Sequence, residues 1–413
     1  MPSATTRVGS GGSAAEAVRR PRRFAGSGRS AAAGGIRQNR LVTTVEEYSS
    51  GFREEPGYLD YGRVGPLSAT VRAETIGQYE ILSKARHGTI ERMRAEDQRV
   101  RDGVSALTRF PADQVVFQPN ASSGLLHAAF GLTGGEVLLA LSEFPSLTYA
   151  AERAAQALRV ITPSWLATDQ GRVTPSGIRE QLNDNTVAVM ASLVDSRTGY
   201  LADIDGIRQV IGDRLLIVDA IQGFGVVDAP WEVADVVATG GQKWMRAGWG
   251  TGFLALSERA LDHLTPVFSG WTGSGPDQPW DEVRDPVRGA SAFSISNPDP
   301  IAEARFAAAL EEVAAVGVTA IAAAVADNAE RILQLADEFA VPVASSRSGN
   351  ERAGIIVLEP LPEQLTALSA SLHNHGVTAS VRAASVRLSV HAGTTEETFD
   401  MLRAAFTSYA SVA

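Results

Sequence analysis

The chain has 413 residues, 44% hydrophobic and 20% charged, with a formal net charge of −10 at pH 7 and no cysteine. This length exceeds one typical core and implies a large and a small domain, and the acidic balance speaks against nucleic acid as a partner. Without cysteine there are no disulfides, thiolate metal sites or cysteine nucleophiles, and no apolar run reaches the roughly 20 residues that span a bilayer. A protein of the cytoplasm, with no membrane partner, is expected.

Residues 1–40 set one acid, Glu16, against eight arginines in a background of Gly, Ser and Ala. Too few large apolar side chains are present to order such a stretch, so a disordered N-terminal tail is expected. Order is expected from Leu41. A lead-in segment over 41–67, packed with the small domain, holds a strand at 57–61 and a loop at 62–66. From Ser68 to about Arg109 the pattern is helical and polar-rich. Apolar runs then alternate with helical stretches. Strands are expected at Val115–Phe117, 137–141, 187–192, Leu215–Asp219, 236–239 and Gly252–Leu256, with amphipathic helices such as 149–158 and Ile204–Ile211 between them. That alternation predicts an α/β fold with a mostly parallel, doubly wound sheet in a large domain over 68–300. Residues 301–340 are alanine-rich and helical. The remainder reads strand (354–358), helix (362–373), strand (385–390), helix (395–409), which makes 301–413 a smaller α+β domain.

In open α/β sheets ligands bind beyond the carboxyl ends of the strands. Lys243 follows the run 236–239 inside Gly240-Gly241-Gln242-Lys243-Trp244, and glycines let such a loop bring an amine against a bound aldehyde. Asp219 ends the apolar run Leu215–Asp219. A buried carboxylate there needs a cationic partner, and a pyridinium nitrogen would serve, although a helix cap is the plainer reading. Asn120-Ala121-Ser122-Ser123 caps a helix whose free amides and hydroxyls could cradle a phosphate, or could simply start a helix. Phe144 in Ser142-Glu143-Phe144-Pro145-Ser146 could stack on a flat ring or pack into the core. Val194-Asp195-Ser196-Arg197-Thr198-Gly199 is a polar loop at another strand end. Strand alternation puts Arg387 and Ser389 on one face and Val386 and Leu388 on the other. Arg387 could grip a carboxylate in a bidentate fork, or be an ordinary salt-bridged arginine. Gly223-Phe224-Gly225 lacks the third glycine of a dinucleotide loop, and there is no phosphate-loop lysine motif. The six histidines lack metal-ligand spacing, so no metal is expected.

Singly these signals are modest; their order along the chain resembles the class V aminotransferase superfamily of fold-type I pyridoxal phosphate enzymes, over roughly residues 57–410. Asp219-Ala220-Ile221-Gln222, Gly240–Trp244 and Arg387-Leu388-Ser389 look like that family's acidic segment, lysine loop and arginine strand. Asn120–His127, Phe144-Pro145-Ser146, Ser192 with Arg197-Thr198-Gly199, Gly270-Trp271 and Phe293–Pro298 are similar to kynureninases. The resemblance implies pyridoxal 5'-phosphate as cofactor and Lys243 as its Schiff-base lysine and the catalytic base. It implies Asp219 on the ring nitrogen, Gln222 on the ring hydroxyl, Phe144 over the ring, Ser122 and Ser123 on the phosphate, and Ser192 and Gln242 in the same site. It further implies Arg387 on the substrate carboxylate, with Trp271 and Asn297 reaching the partner's site in a homodimer. The chain departs from kynureninases at Gly62-Arg63-Val64-Gly65, Gln222, Gln242 and Ala392-Gly393-Thr394. The implied activity is on an amino acid, as a Cβ-lyase (Cβ–S or Cβ–C) or an aminotransferase, with an epimerase or a non-catalytic regulatory protein on the same fold as alternatives. A cysteine desulfurase is excluded, because its sulfur-accepting cysteine is missing.

Overall fold

The computed structural model describes residues 43–275 and 281–411; the expected tail at 1–40 lies outside them. In chain order the elements are α1 (Val45–Ser50), α2 (Ala69–Ser83), α3 (Thr89–Arg94), α4 (Glu96–Thr108), β1 (Val115–Phe117), α5 (Ala121–Gly131), β2 (Gly135–Ala140), α6 (Pro145–Leu158), β3 (Ile161–Leu166), α7 (Pro175–Gln181) and β4 (Thr186–Ser192). There follow α8 (Ile204–Ile211), β5 (Leu215–Asp219), β6 (Val236–Gly240), β7 (Gly252–Leu256), α9 (Glu258–His263), α10 (Pro300–Val316), α11 (Val318–Glu338), β8 (Ile355–Leu358), α12 (Leu365–Asn374), β9 (Ser380–Val381), β10 (Val386–Ser389) and α13 (Glu396–Ala410).

Seven strands form one sheet in the order β1-β7-β6-β5-β4-β2-β3. The pairs from β3 through β6 are parallel, and β7 joins β6 and β1 antiparallel. The sheet is buried on both faces, which is why its central strands read as continuous apolar runs. Leu216 and Val218 of β5 enter one core layer with Val189 and Val237, while Leu215 and Ile217 enter the other with Met190 and Val236. The covering helices carry matching stripes: Leu147, Ala150, Ala151 and Ala154 on α6, and Ile204, Ile207 and Ile211 on α8. Spacings of three and four residues put each set on one helical face, and each fully buried isoleucine contributes about 1.5–3 kcal/mol.

Three expectations change. Strand β3 was not anticipated; it lies on the sheet edge beside β2. The helical stretch after Ser68 is three helices, broken first between Lys84 and Gly88, whose φ of 81° is left-handed, and again at Ala95. The strand expected at 57–61 reduces to two isolated bridges, Tyr58 to Thr378 and Asp60 to Ser389. The chain turns there, with Arg63 and Val64 amides both donating to Asp60 O, so no ladder can continue. These bridges dock the lead-in segment on the antiparallel sheet β8-β10-β9. Helix α10 packs on α2 and α4.

Candidate active site

From β2 the chain passes to the edge at β3, then crosses back to β4 on the other side of β2. Strand order reverses between β2 and β4, and such a switch point is where an open sheet leaves a crevice. Glu143, just past β2, bridges this point. Its Oε1 accepts from the Ser192 amide at 3.1 Å and its Oε2 from Ser192 Oγ at 2.5 Å. Burial pushes the Glu143 carboxyl up to about 7, against the pull of the Ser192 hydrogen bonds. Ser192, which ends β4, stands level with Asp219 at the end of β5.

Asp219 is buried, and among the described residues its one side-chain hydrogen bond is from the Ile221 amide to Oδ1 at 3.0 Å. Burial pushes its carboxyl up to about 6, with the Ile221 amide and the Lys243 charge pulling the other way. Lys243 is 8% exposed. Burial pulls its amine down to about 8; Asp219 opposes this, and Arg387 and Arg382 add to it. Its Nζ lies 5.4 Å from the centre of the Phe144 ring. Lys243 is thus coupled by charge to Asp219 and lies over the Phe144 ring.

Arg387 is buried on β10. Its Nη1 donates to Ser196 O at 3.2 Å, and its Nη2 to Ser380 Oγ at 3.1 Å and Asp60 Oδ1 at 3.4 Å. Its Nε is buried without a hydrogen-bond partner. Ser389, on the same strand face, accepts from the Gly62 amide at 2.8 Å. The lead-in loop must lie close here. A Cβ at position 62 would stand 3.2 Å from Arg387 Cζ, and one at 65 would collide with the Lys243 carbonyl oxygen. Gly62-Arg63-Val64-Gly65, a departure from the kynureninase pattern, therefore meets a steric demand of this chain.

Gln222 joins this loop to the lysine loop. Its Nε2 donates to Gly62 O and its Oε1 accepts from Trp244 Nε1, both at 2.9 Å. Gln242 accepts through its backbone oxygen from the Gly65 amide at 2.8 Å. Ser122 and Ser123 lie in the first turn of α5; Asn120 Oδ1 caps the Ser123 amide at 2.9 Å, and Ser122 Oγ pairs with Ser146 Oγ at 2.7 Å. Trp271 and Asn297 are exposed, and Asn297 shares a cavity of about 740 Å³ with Ser123. Sequence reasoning passed over Glu143, Asp60 and Arg382. It also missed the clasp behind the lysine loop. There Arg246, with a left-handed φ of 56°, holds Glu54 through two bonds of 2.8 and 2.7 Å and lies 3.5 Å over the Phe52 ring. Burial raises the Glu54 carboxyl, but the Arg246 hydrogen bonds and charge outweigh it and hold it at about 2.

A buried lysine facing a buried aspartate across the carboxyl edge of a doubly wound sheet, with an aromatic ring over the amine, defines a pyridoxal phosphate enzyme of fold-type I. The family model described as Aminotransferase class-V matches residues 78–411. The chain belongs to that family and is a pyridoxal phosphate-dependent lyase or transferase. Its fold is similar to the apo cysteine desulfurase of Thermococcus onnurineus NA1, at 19% identity and a TM-score of 0.75 over 84% of this chain and 93% of that one. It is also similar to the cystine C–S lyase C-DES in complex with its product cysteine persulfide, at 18% identity and a TM-score of 0.77 over 85% and 97%. A third likeness is the cysteine desulfurase CsdA of Escherichia coli, at 15% and 0.74 over 89% and 99%. Comparison with curated protein sequences gives no match.

The residues present suit the cofactor. Asp219 Oδ2 has no hydrogen-bond partner among the described residues, which leaves it for a protonated ring nitrogen. Thr239 Oγ1, at the end of β6, is buried and unpartnered. A Cβ at Gly240 would stand 2.5 Å from Gln242 Oε1, so glycine there leaves room for the Gln242 side chain as the lysine loop passes the first turn of α5.

Proposed function

We propose that this enzyme acts on an α-amino acid and breaks a bond at Cβ, either Cβ–S or a kynureninase-like Cβ–C bond. The observation that carries the amino-acid reading is Arg387, a buried guanidinium whose Nε has no partner, set in the same charge cluster as Lys243 and Asp219. A buried guanidinium with a free donor suits an α-carboxylate. Pyridoxal phosphate supplies the electron sink for negative charge developing at the substrate Cα. Asp219 keeps the ring nitrogen protonated through Oδ2. Phe144 covers one side and excludes water from the Lys243 amine. With its amine near 8, Lys243 is partly uncharged at neutral pH and can take the Cα proton on Nζ. Gln222 and Ser192 position the loops around it. Ser122 and Ser123 hold the phosphate.

Transamination uses the same residues and is the second reading, supported by the family itself. Without cysteine, any sulfur released leaves directly and is not handed to a protein thiol. We also propose a homodimer in which Trp271 and Asn297 complete the partner's site; their exposure supports this.

The test is a panel of amino acids offered to the cofactor-loaded protein, following the cofactor spectrum and the products. Formation of pyruvate or alanine from a Cβ-substituted substrate supports cleavage, while a 2-oxo acid retaining the whole side chain replaces it with transamination. Arg387→Ala should weaken amino-acid binding about ten- to a hundredfold and leave cofactor loading intact. An equal loss with the corresponding decarboxylated amine would overturn the carboxylate role.

A further inference from the structure

Two of the three protein groups held by Arg387 lead to two more guanidinium groups. Ser196, whose carbonyl accepts from Nη1, is followed by Arg197; Ser380, whose hydroxyl accepts from Nη2, is followed two residues later by Arg382. Arg382 opens a tight turn, closed by its own amide donating to Ser385 O at 2.8 Å. It is half-buried, and among the described residues no hydrogen bond or ion pair holds its side chain. Arg197 is held by one loose ion pair. Its Nε lies 3.8 Å from Asp195 Oδ2, outside hydrogen-bond range. Asp195 Oδ1 is occupied by the Arg197 and Thr198 amides and the Thr198 hydroxyl.

Arg197 and Ser385 line a cavity of about 790 Å³, together with Ser142, Arg172 and Arg347. Glu359 is the one carboxylate in its lining, and Arg347 is already held by Asp337 at 2.8 Å. The Ser142 hydroxyl is buried and unpartnered. Ser142 is next to Glu143 and Phe144, and Ser385 is two residues before Arg387, so two chain segments that build the site also line the cavity. Gly171, at a φ of 78°, is the point where Arg197 Nη2 lies against the backbone; any Cβ there would stand 2.6 Å from it. Arg197, Arg382 and Arg387 are set against two carboxylates, Asp195 and Asp60, which leaves the cluster with an excess of positive charge. Such a surplus suits a second negative charge on the substrate.

We propose that the substrate is an amino acid whose side chain ends in an anion, a carboxylate or a sulfur oxyacid, with Arg387 on the α-carboxylate and Arg197 and Arg382 on the distal group. This inference rests on the amino-acid reading above. Arg382 works against the charges of Lys243 and Arg387; Asp195 and Asp60 support its own charge, and Arg197 opposes it. A dianionic substrate relieves that repulsion, which a neutral side chain does not.

Equilibrium titration of the cofactor-loaded protein compares L-aspartate with L-asparagine, nearly equal in shape and different in charge, and both with L-cysteine sulfinate. At least one acid should bind about tenfold or more tightly than asparagine, and the tighter acid identifies the anion. The ratio of acid to asparagine should fall toward one in Arg197→Gln/Arg382→Gln, and Arg382→Lys should keep part of it. Asparagine binding as well as both acids, or a ratio that survives in the double variant, overturns the inference. Arg387→Gln should weaken acid and amide alike. If no amino acid of either charge binds, the amino-acid reading fails and this inference fails with it.

Discussion

Replacing Asp219 with asparagine separates what this residue costs the fold from what it gives the reaction. The substitution keeps the side-chain shape and the acceptor for the Ile221 amide, and removes the buried charge. Burial raises the carboxyl from 3.8 to about 6 in the folded protein. Between those values the unfolded chain has already released its proton while the folded chain retains it. The unfolded state then binds fewer protons, so stability falls as pH rises across this window. At about 1.36 kcal/mol per pH unit, the full cost above pH 6 is about 3 kcal/mol. Urea denaturation of cofactor-free protein, parent against Asp219→Asn, should therefore show little difference near pH 4. By pH 7.5 the variant should gain about 3 kcal/mol, and the cofactor-loaded variant should lose most of its activity. A difference that does not change with pH, or a variant that turns over like the parent, would refute the assignment of Asp219 as a desolvated counter-charge awaiting its partner.

Borohydride reduction of the loaded protein should fix the cofactor covalently on Lys243, read by peptide mass spectrometry; an adduct on Lys84 would be incompatible with the site as built. The difference in cofactor-free stability between Glu143→Gln and the parent should build up between pH 4.5 and about 7, the window over which burial delays Glu143 ionisation, and persist above it, with the parent losing stability as pH rises through the window; a pH-independent difference contradicts a protonated Glu143 in the fold. Mixing inactive Lys243→Ala with inactive Asn297→Ala should restore partial activity, since one hybrid site would be complete, and verified heterodimers without activity would indicate sites built within one chain.

The sheet was legible wherever a strand is buried on both sides. Val115–Phe117, Leu215–Asp219 and Gly252–Leu256 fall at their expected bounds because an apolar run bounded by polar residues has few other uses. Strand β3 escaped because Ile-Thr-Pro-Ser-Trp-Leu carries a proline and has buried side chains only at its two ends, which an edge strand tolerates and a central one does not. Lys243, Asp219 and Phe144 were legible as chemistry in local sequence. Glu143 was not, since its role depends on Ser192, 49 residues away. Nor was the clasp of Arg246 on Glu54 across 192 residues. Arginine on a strand announces itself, but its neighbours Asp60 and Arg382 become meaningful only once the lead-in loop and the β9–β10 turn are folded together.

The grip around Arg387 has a consequence for the order of biosynthesis. Asp219 and Lys243 are 24 positions apart and leave the ribosome almost together, whereas Asp60 must wait for an arginine synthesised 327 residues after it. Closing so long a loop adds little to the equilibrium cost, about 0.6 kcal/mol for each doubling in length, but it fixes a sequence of events. The sheet edge that receives the cofactor can form while β8 to β10 are still untranslated. The grip on Arg387 comes together last, after every strand of the seven-stranded sheet has been made.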